Sequence, residues 1–296
     1  MQIRIIGAPM DLGADRRGVD IGPSAIRYAG LSYHLHRLGY TIHDIGNIAI
    51  PQPESQIEGN PQLKYLEPIV QASEELKSVV SSALAQKEFP LILGGDHSIA
   101  LGSISAAVQK DNALGVIWID AHPDFNTAET TPSGNIHGMI LAALTGLGDS
   151  HLTGVIGAAT LNPAHIAIVG ARDIDAGERS LLRTHQVHVF TMSDIDRYGI
   201  SEIMKQAIAV AGPNANPIHL SLDMDALDPR EAPGVGTPVR GGLSYREAHM
   251  AMEMIADTRQ LISMDVVEVN SILDRENATA QLAVELILSA LGKKIF

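Results

Sequence analysis

Two hydrophobic periods alternate along the chain from one end to the other. Short runs rich in Ile, Val and Leu occupy residues 2–6, 41–45, 90–93, 115–119, 166–169, 187–190, 218–222 and 262–267. Several show no polar alternation, the pattern of strands covered on both faces. Between them, apolar residues recur at three- and four-residue steps. One such segment, 24–38, follows a Gly-Pro start, and a longer one covers 63–86. Ser244-Tyr245-Arg246-Glu247 reads as a capping box opening a helix that runs to about residue 257. Met250, Met252 and Met254 in that helix are read as packing residues.

Strand–helix alternation of this kind predicts an α/β fold of parallel strands joined by right-handed crossovers. The expected form is an open, doubly wound, mainly parallel sheet of about eight strands with helices on both faces. A closed eight-stranded barrel is the competitor. Both place chemistry on the loops that leave the C-terminal ends of the strands. Neither an internal repeat nor a low-complexity tract divides the chain, and the Pro-rich polar stretch 50–61 is too short to do so. A single domain over 1–296 is therefore expected.

Composition narrows the function. The chain carries 21 Lys+Arg against 34 Asp+Glu, a net charge of −13. Nucleic acid and anionic membrane are poor partners for such a surface, whereas a cationic small molecule or bound metal cations suit it. An apolar share of 45% with 19% charged residues excludes a disordered or fibrous chain. Cysteine is absent, which removes disulfides, thiolate metal sites and cysteine nucleophiles. Residues 1–9 read as a first strand without the features of a signal peptide, and apolar windows such as 89–93 fall far short of the roughly 20 residues of a membrane helix. A cytoplasmic location is the expectation.

Asp and His residues gather where the predicted strands end. Gly94-Gly95-Asp96-His97 follows the third run, Asp120-Ala121-His122-Pro123-Asp124 the fourth, Asp223-Met224-Asp225 the seventh and Glu268 the eighth. In extended backbone, residues two apart share a side, so Asp120, His122 and Asp124 are expected to converge, as are Asp223 and Asp225. With His97 they offer two imidazoles and four carboxylates. Four close carboxylates cannot all stay ionised without cations. Two divalent ions match the four Asp, which points to a binuclear site with an activated water. Oxygen-rich ligands plus imidazole favour Mn²⁺ over Zn²⁺. Asp96 by itself reads as a turn former or helix cap. The histidines His34, His36, His43, His151, His165, His185, His188 and His249 lack such context and are read as surface or packing residues. Two further polar loops stand out: Asn126 with Ser133, Asn135 and His137, suited to an anionic group and to proton transfer, and Asp175 with Glu178, which either charge a helix N-terminus or hold an ammonium.

These motifs resemble the ureohydrolase family, and within it the arginases, over nearly the whole chain. The resemblance begins with Gly7-Ala8-Pro9-Met10-Asp11 and continues through Gly94-Gly95-Asp96-His97-Ser98, Asp120-Ala121-His122-Pro123-Asp124 and Ser221-Leu222-Asp223-Met224-Asp225 to Val267-Glu268-Val269-Asn270. Ser133-Gly134-Asn135-Ile136-His137-Gly138 narrows it to arginase. Membership implies a three-layer α/β sandwich that hydrolyses L-arginine to L-ornithine and urea by attack of a metal-bridging hydroxide on the guanidinium carbon. It implies two Mn²⁺ per chain, one held by His97, Asp120, Asp124 and Asp223 and the other by Asp120, His122, Asp223 and Asp225. It also implies α-carboxylate contacts from Asn126, Ser133 and Asn135, an α-amino contact from Asp175, and Glu268 with Thr237 beside the guanidinium. His137 becomes the proton shuttle, and a trimer or hexamer the assembly. Pro123 and Ser271 are small departures that leave ligation intact. An agmatinase, or another guanidino hydrolase, is the alternative activity; a catalytically silent, metal-stabilised binding module is the alternative from a different class.

Overall fold

The computed structural model describes residues 1–294 and joins all eight runs in one sheet. The strands are β1 (Gln2–Ala8), β2 (Thr41–Asn47), β3 (Phe89–Gly94), β4 (Gly115–Ile119), β5 (Ile166–Ala171), β6 (His188–Thr191), β7 (Ile218–Asp223) and β8 (Leu261–Val267). Their order across the sheet is β2-β1-β3-β8-β7-β4-β5-β6, and every neighbouring pair is parallel. Two free edges exclude the barrel. The last two strands in sequence fill the gap between β3 and β4, so the centre of the sheet is closed by the end of the chain.

Each face carries its own apolar layer. Ile5, Leu91, Leu220 and Met264 face the helices Gly22–Tyr28, Leu31–Arg37, Ile200–Ala211, Tyr245–Thr258 and Ala278–Ala290. Ile6, Ile92 and Trp118 face Leu66–Ala85, Ala100–Lys110, Ile140–Leu144 and Ser150–Ile156. Burying both faces is what makes the inner strands read as unbroken apolar runs. Met252 is fully buried, and Met250 and Met254 pack at the edge of the same layer. The capping box forms as expected: the Glu247 carboxylate accepts from the Ser244 backbone N–H at 2.9 Å, and the Ser244 hydroxyl accepts from the Glu247 N–H.

Two expectations need correction. Residues 24–38 are not one helix but two, Gly22–Tyr28 and Leu31–Arg37, parted at Gly30, whose φ of +87° no helix accommodates. The segment 63–86 likewise starts late, because Leu63–Lys64 pairs antiparallel with Gly59–Asn60 and the helix opens at Leu66. Among the described residues no helix is long and apolar enough to cross a membrane.

The loop after β3 is packed against its neighbours with no space to spare. The Gly95 N–H donates to the Ala8 carbonyl at 2.8 Å, and its own carbonyl accepts from the Glu268 N–H at 2.8 Å. A Cβ on Gly95 would lie 1.8 Å from the Met10 carbonyl oxygen, which belongs to backbone and cannot rotate away. Gly95→Ala should therefore part the β1 and β3 loops and lower stability by about 1–3 kcal/mol, read by urea denaturation. An unchanged midpoint would show that these loops yield.

Candidate functional site

The loops at the C-terminal ends of β3, β4, β7 and β8 bring the predicted residues to one place. His97 lies in a 3-10 turn capped by Asp96, whose carboxylate accepts from the Ser98 N–H at 3.0 Å and from the Gly13 N–H at 2.7 Å. Asp96 is thus the cap that its sequence context suggests, and it also clamps the 10–14 loop. The His97 ring is fully buried and stacks on Trp118, centroids 3.9 Å apart. Its Nδ1 lies 3.1 Å from Asp120 Oδ2, 3.3 Å from Asp124 Oδ2 and 3.1 Å from Asp223 Oδ2. His122 Nδ1 lies 3.4 Å from Asp120 Oδ1 and 3.2 Å from Asp225 Oδ2.

Convergence does not come from extended backbone, as the spacing argument expected. β4 stops at Ile119, and Asp124 has a left-handed φ of +51°. Asp223 ends β7 and caps a 3-10 turn, its Oδ1 accepting from the Asp225 N–H at 2.7 Å. Turns, rather than pleat alternation, aim these side chains. Glu268 is held at φ +63°, another conformation that costs a residue with a Cβ. Its Oε1 accepts from the His97 N–H at 3.1 Å and lies 3.3 Å from His137 Nδ1.

Charge is the dominant fact of this cluster. Burial pushes the Asp223 carboxyl well above the usual range, and Asp225 and Asp120 push it further; burial and Asp120 do the same to Asp124. Burial opposes protonation of His97 and His122, yet the carboxylates around each raise both. Burial also opposes a charge on His137, which Glu268 nevertheless raises to about 9. The group therefore holds its charges only with protons or cations among them. His97 Nδ1 is buried, faces three carboxylate oxygens and has no hydrogen bond of acceptable geometry, an arrangement that suits a cation. His97, Asp120 and Asp223 can meet around one cation, and Asp120, His122 and Asp225 around another. Nitrogen and carboxylate donors at this spacing fit divalent metal ions.

A cavity of 240 Å³ opens beside the cluster, lined by His122, Asp124, Asn126, Ser133, Asn135, His137, Asp175 and Thr237 among others. The sequence profile of the Arginase family matches residues 1–292. The chain belongs to the arginase family. It is accordingly a hydrolase of an amidine C–N bond, in a family whose members depend on metal. An arginase of Brevibacillus brevis is 52% identical over 98% of each chain. The crystal structure of arginase from Bacillus caldovelox superimposes with a TM-score of 0.97 at 48% identity, covering 100% of this chain and 99% of that one. The arginase of Entamoeba histolytica, solved in complex with L-ornithine, superimposes with a TM-score of 0.91 at 32% identity over 99% of both chains.

Within this arginase-family cavity, some predicted residues are already engaged by the protein. Thr237 donates its hydroxyl to Asp225 at 2.7 Å. The Asn126 amide donates to Asp175 at 2.9 Å and accepts from Thr130, which leaves it one free N–H. Asp175 caps the helix Ala176–Thr184 by accepting from the Glu178 N–H at 3.0 Å. Ser133 is exposed, and Asn135 accepts from Lys64 Nζ at 3.1 Å. Glu178 stands in the first turn of the same helix and lines the cavity. It is buried and accepts from the Phe125 N–H at 2.8 Å.

Sequence reasoning missed three supports. The Arg172 guanidinium donates to the carbonyls of Gly170, Asp225, Ala226, Leu227 and Val239, tying the end of β5 to two points of the long connection that follows β7. His219 and Asp265 lie fully buried behind His97. Burial works to raise the Asp265 carboxyl, but His219, with His97 and Ser103, more than offsets it, and Asp265 stays below the ordinary range. The available signal was alternation: His219, Ser221 and Asp223 interleave with Ile218, Leu220 and Leu222 on a strand buried on both sides.

Burial raises the Glu178 carboxyl from 4.5 to about 8, so the folded chain keeps a proton that the unfolded chain releases. The resulting loss of stability is absent below pH 4.5, grows up to about pH 8 and is constant beyond. Glu178→Gln keeps the acceptor for Phe125 without a charge. In metal-free protein it should raise the Tm over the parent at pH 8 clearly more than at pH 5, as followed by circular dichroism. Equal shifts at both pH values would contradict a raised carboxyl.

Proposed function

We propose that this chain is a binuclear manganese enzyme that hydrolyses L-arginine to L-ornithine and urea, within one ureohydrolase domain spanning residues 1–296. The carrying observation is His97 Nδ1, buried and unpaired among three carboxylate oxygens. His97, Asp120, Asp124 and Asp223 would hold one ion, and Asp120, His122, Asp223 and Asp225 the other. Four positive charges against four Asp remove the repulsion that otherwise forces protons onto the site. When bound, the pair supplies an activated water nucleophile and stabilises the charge that develops at the tetrahedral carbon.

The chain's own residues do the rest. Glu268 and Thr237 face the guanidinium and orient its carbon, and the burial of Glu268 strengthens its attraction. His122 and Asp124 line the same cavity and close on the reacting group. Asp124 accepts the proton that the nucleophile gives up and returns it to the ornithine amine as the C–N bond breaks. His137, hydrogen-bonded to Glu268 and partly open to solvent, restores protons from the medium. Asn126, Ser133 and Asn135 hold the α-carboxylate by dipoles and ordered water, and Asp175 the α-amino group.

Urea release from L-arginine and from agmatine, with manganese content assayed alongside, is the primary test. Agmatine lacks the carboxylate, so a pocket with polar groups set for one should prefer arginine by about 10⁴-fold in kcat/KM. Ser133→Ala with Asn135→Ala should raise KM for arginine much more than for agmatine and narrow that gap. Equal hydrolysis of both by the parent would make the enzyme an agmatinase or a broad guanidino hydrolase.

His137→Asn separates proton transfer from ligation. Turnover should drop by about 10²-fold or more while both metal ions are retained, and added imidazole should recover part of the rate. Loss of metal from this variant would instead make His137 a ligand.

A further inference from the structure

A chain of hydrogen bonds runs away from the cluster through the interior of the sheet. His97 Nε2 lies 2.8 Å from Ser221 Oγ, and the Ser221 hydroxyl donates to Asp265 Oδ1 at 2.5 Å. The other oxygen, Asp265 Oδ2, accepts from Ser103 Oγ at 2.6 Å and meets His219 Nε2 at 2.9 Å. His219 Nδ1 ends the chain on Ser263 Oγ at 2.7 Å. All six residues are fully buried. The arrangement rests on register: Ser263 stands beside His219 and Asp265 beside Ser221 across the β7–β8 pair. A carboxylate and an imidazole in the middle of a sheet are costly and add little net stability over apolar residues of like volume.

The bonds are directional, and the direction has chemical content. A serine hydroxyl has one hydrogen. Asp265 takes that hydrogen from Ser221, so Ser221 can only accept from His97. The proton retained by His97 is then the one on Nε2, and Nδ1, which faces Asp120, Asp124 and Asp223, keeps a lone pair free for a cation. Without an acceptor at position 265 the Ser221 hydroxyl can turn and donate to Nε2. His97 would then carry its proton on Nδ1, bond a carboxylate directly and be lost as a ligand.

We propose that Asp265, held in orientation by His219, is a positioning residue that sets the tautomer of His97 through Ser221 and so makes that histidine competent to bind a cation. This rests on the binuclear reading above. It assigns a metal-directing role to a carboxylate that touches neither cation nor substrate.

Manganese binding to stripped protein, measured by equilibrium dialysis and by the paramagnetic resonance spectrum of the bound ions, tests this without recourse to turnover. The parent should bind two ions with the spectrum of a coupled pair. Asp265→Ala should weaken one of them by about 10–100-fold, and one equivalent should give an uncoupled signal. Asp265→Asn still offers Ser221 an acceptor oxygen and should stay within about 3-fold of the parent, well short of that loss. Ser103→Ala removes a hydrogen bond from the same carboxylate but leaves the Ser221 side intact. It should lower the Tm without weakening either ion, which a merely structural role for Asp265 would not distinguish. If Asp265→Ala does not fold, Asp265→Val, whose side chain suits a strand, is measured the same way. Parent-like binding of both ions by the Ala or Val variant, or an Asn variant as weak as Ala, overturns the proposal. A parent that binds no ion at His97 overturns the binuclear reading and this proposal together.

Discussion

Repulsion among buried carboxylates is the constraint around which this molecule is arranged. Asp120, Asp124, Asp223, Asp225 and Glu268 sit nearly or wholly out of water within one cluster. At such separations, and with little solvent to screen them, like charges oppose one another strongly. Most of the other polar features of the site answer this problem. His97 and His122 sit between the carboxylates, the Trp118 indole N–H donates to Asp120 at 2.9 Å, and the Ala121 N–H donates to Asp225 at 3.2 Å. These contacts orient the oxygens without neutralising them all, which leaves a demand for cations that the overall acidity of the chain reinforces.

Such a cluster survives only if the loops that carry it cannot drift apart. The structure meets this with contacts that use backbone, which does not change rotamer. Arg172 fans its guanidinium over carbonyls at two points of the connection after β7, Gly13 bonds Asp96 through its N–H and His137 through its carbonyl, and Gly95 joins β1, β3 and Glu268. Left-handed backbone at Glu268 is held by its N–H on the Gly95 carbonyl, and at Asp124 by its carbonyl on the Leu141 N–H at 3.0 Å. Residues that bear functional side chains thus occupy conformations that their own type disfavours, a state that persists only where surroundings over-determine it.

Much of this was legible in the sequence, for identifiable reasons. The six inner strands were visible because each is buried on both faces along most of its length, and burial writes itself as a run of Ile, Val and Leu; the edge strands β2 and β6 are exposed or half-buried throughout and show only short apolar runs. The metal-type residues were visible because Asp and His directly after such runs have few structural explanations in common. Turn geometry was not legible: the spacing of Asp120, His122 and Asp124 suggested extended chain, yet a left-handed residue and bends bring them together. The roles of Arg172 and Asp265 were equally hidden. Each depends on partners distant in sequence, and a single arginine or aspartate in a list of charges does not announce five carbonyls or a buried serine.

The strand order has a consequence for how the protein comes into being. The residues of the cluster are drawn from 97 to 268, and the two strands that bring Asp223, Asp225 and Glu268 slot between β3 and β4 after both have been made. A nascent chain leaving the ribosome therefore exposes two half-sheets with unpaired inner edges until its final segments emerge. Pairings so far apart in sequence form slowly, and open edges invite association with other chains meanwhile. The cluster can close only once β8 has been made, so a chain cut short before β8 is left with carboxylates and no means to assemble them.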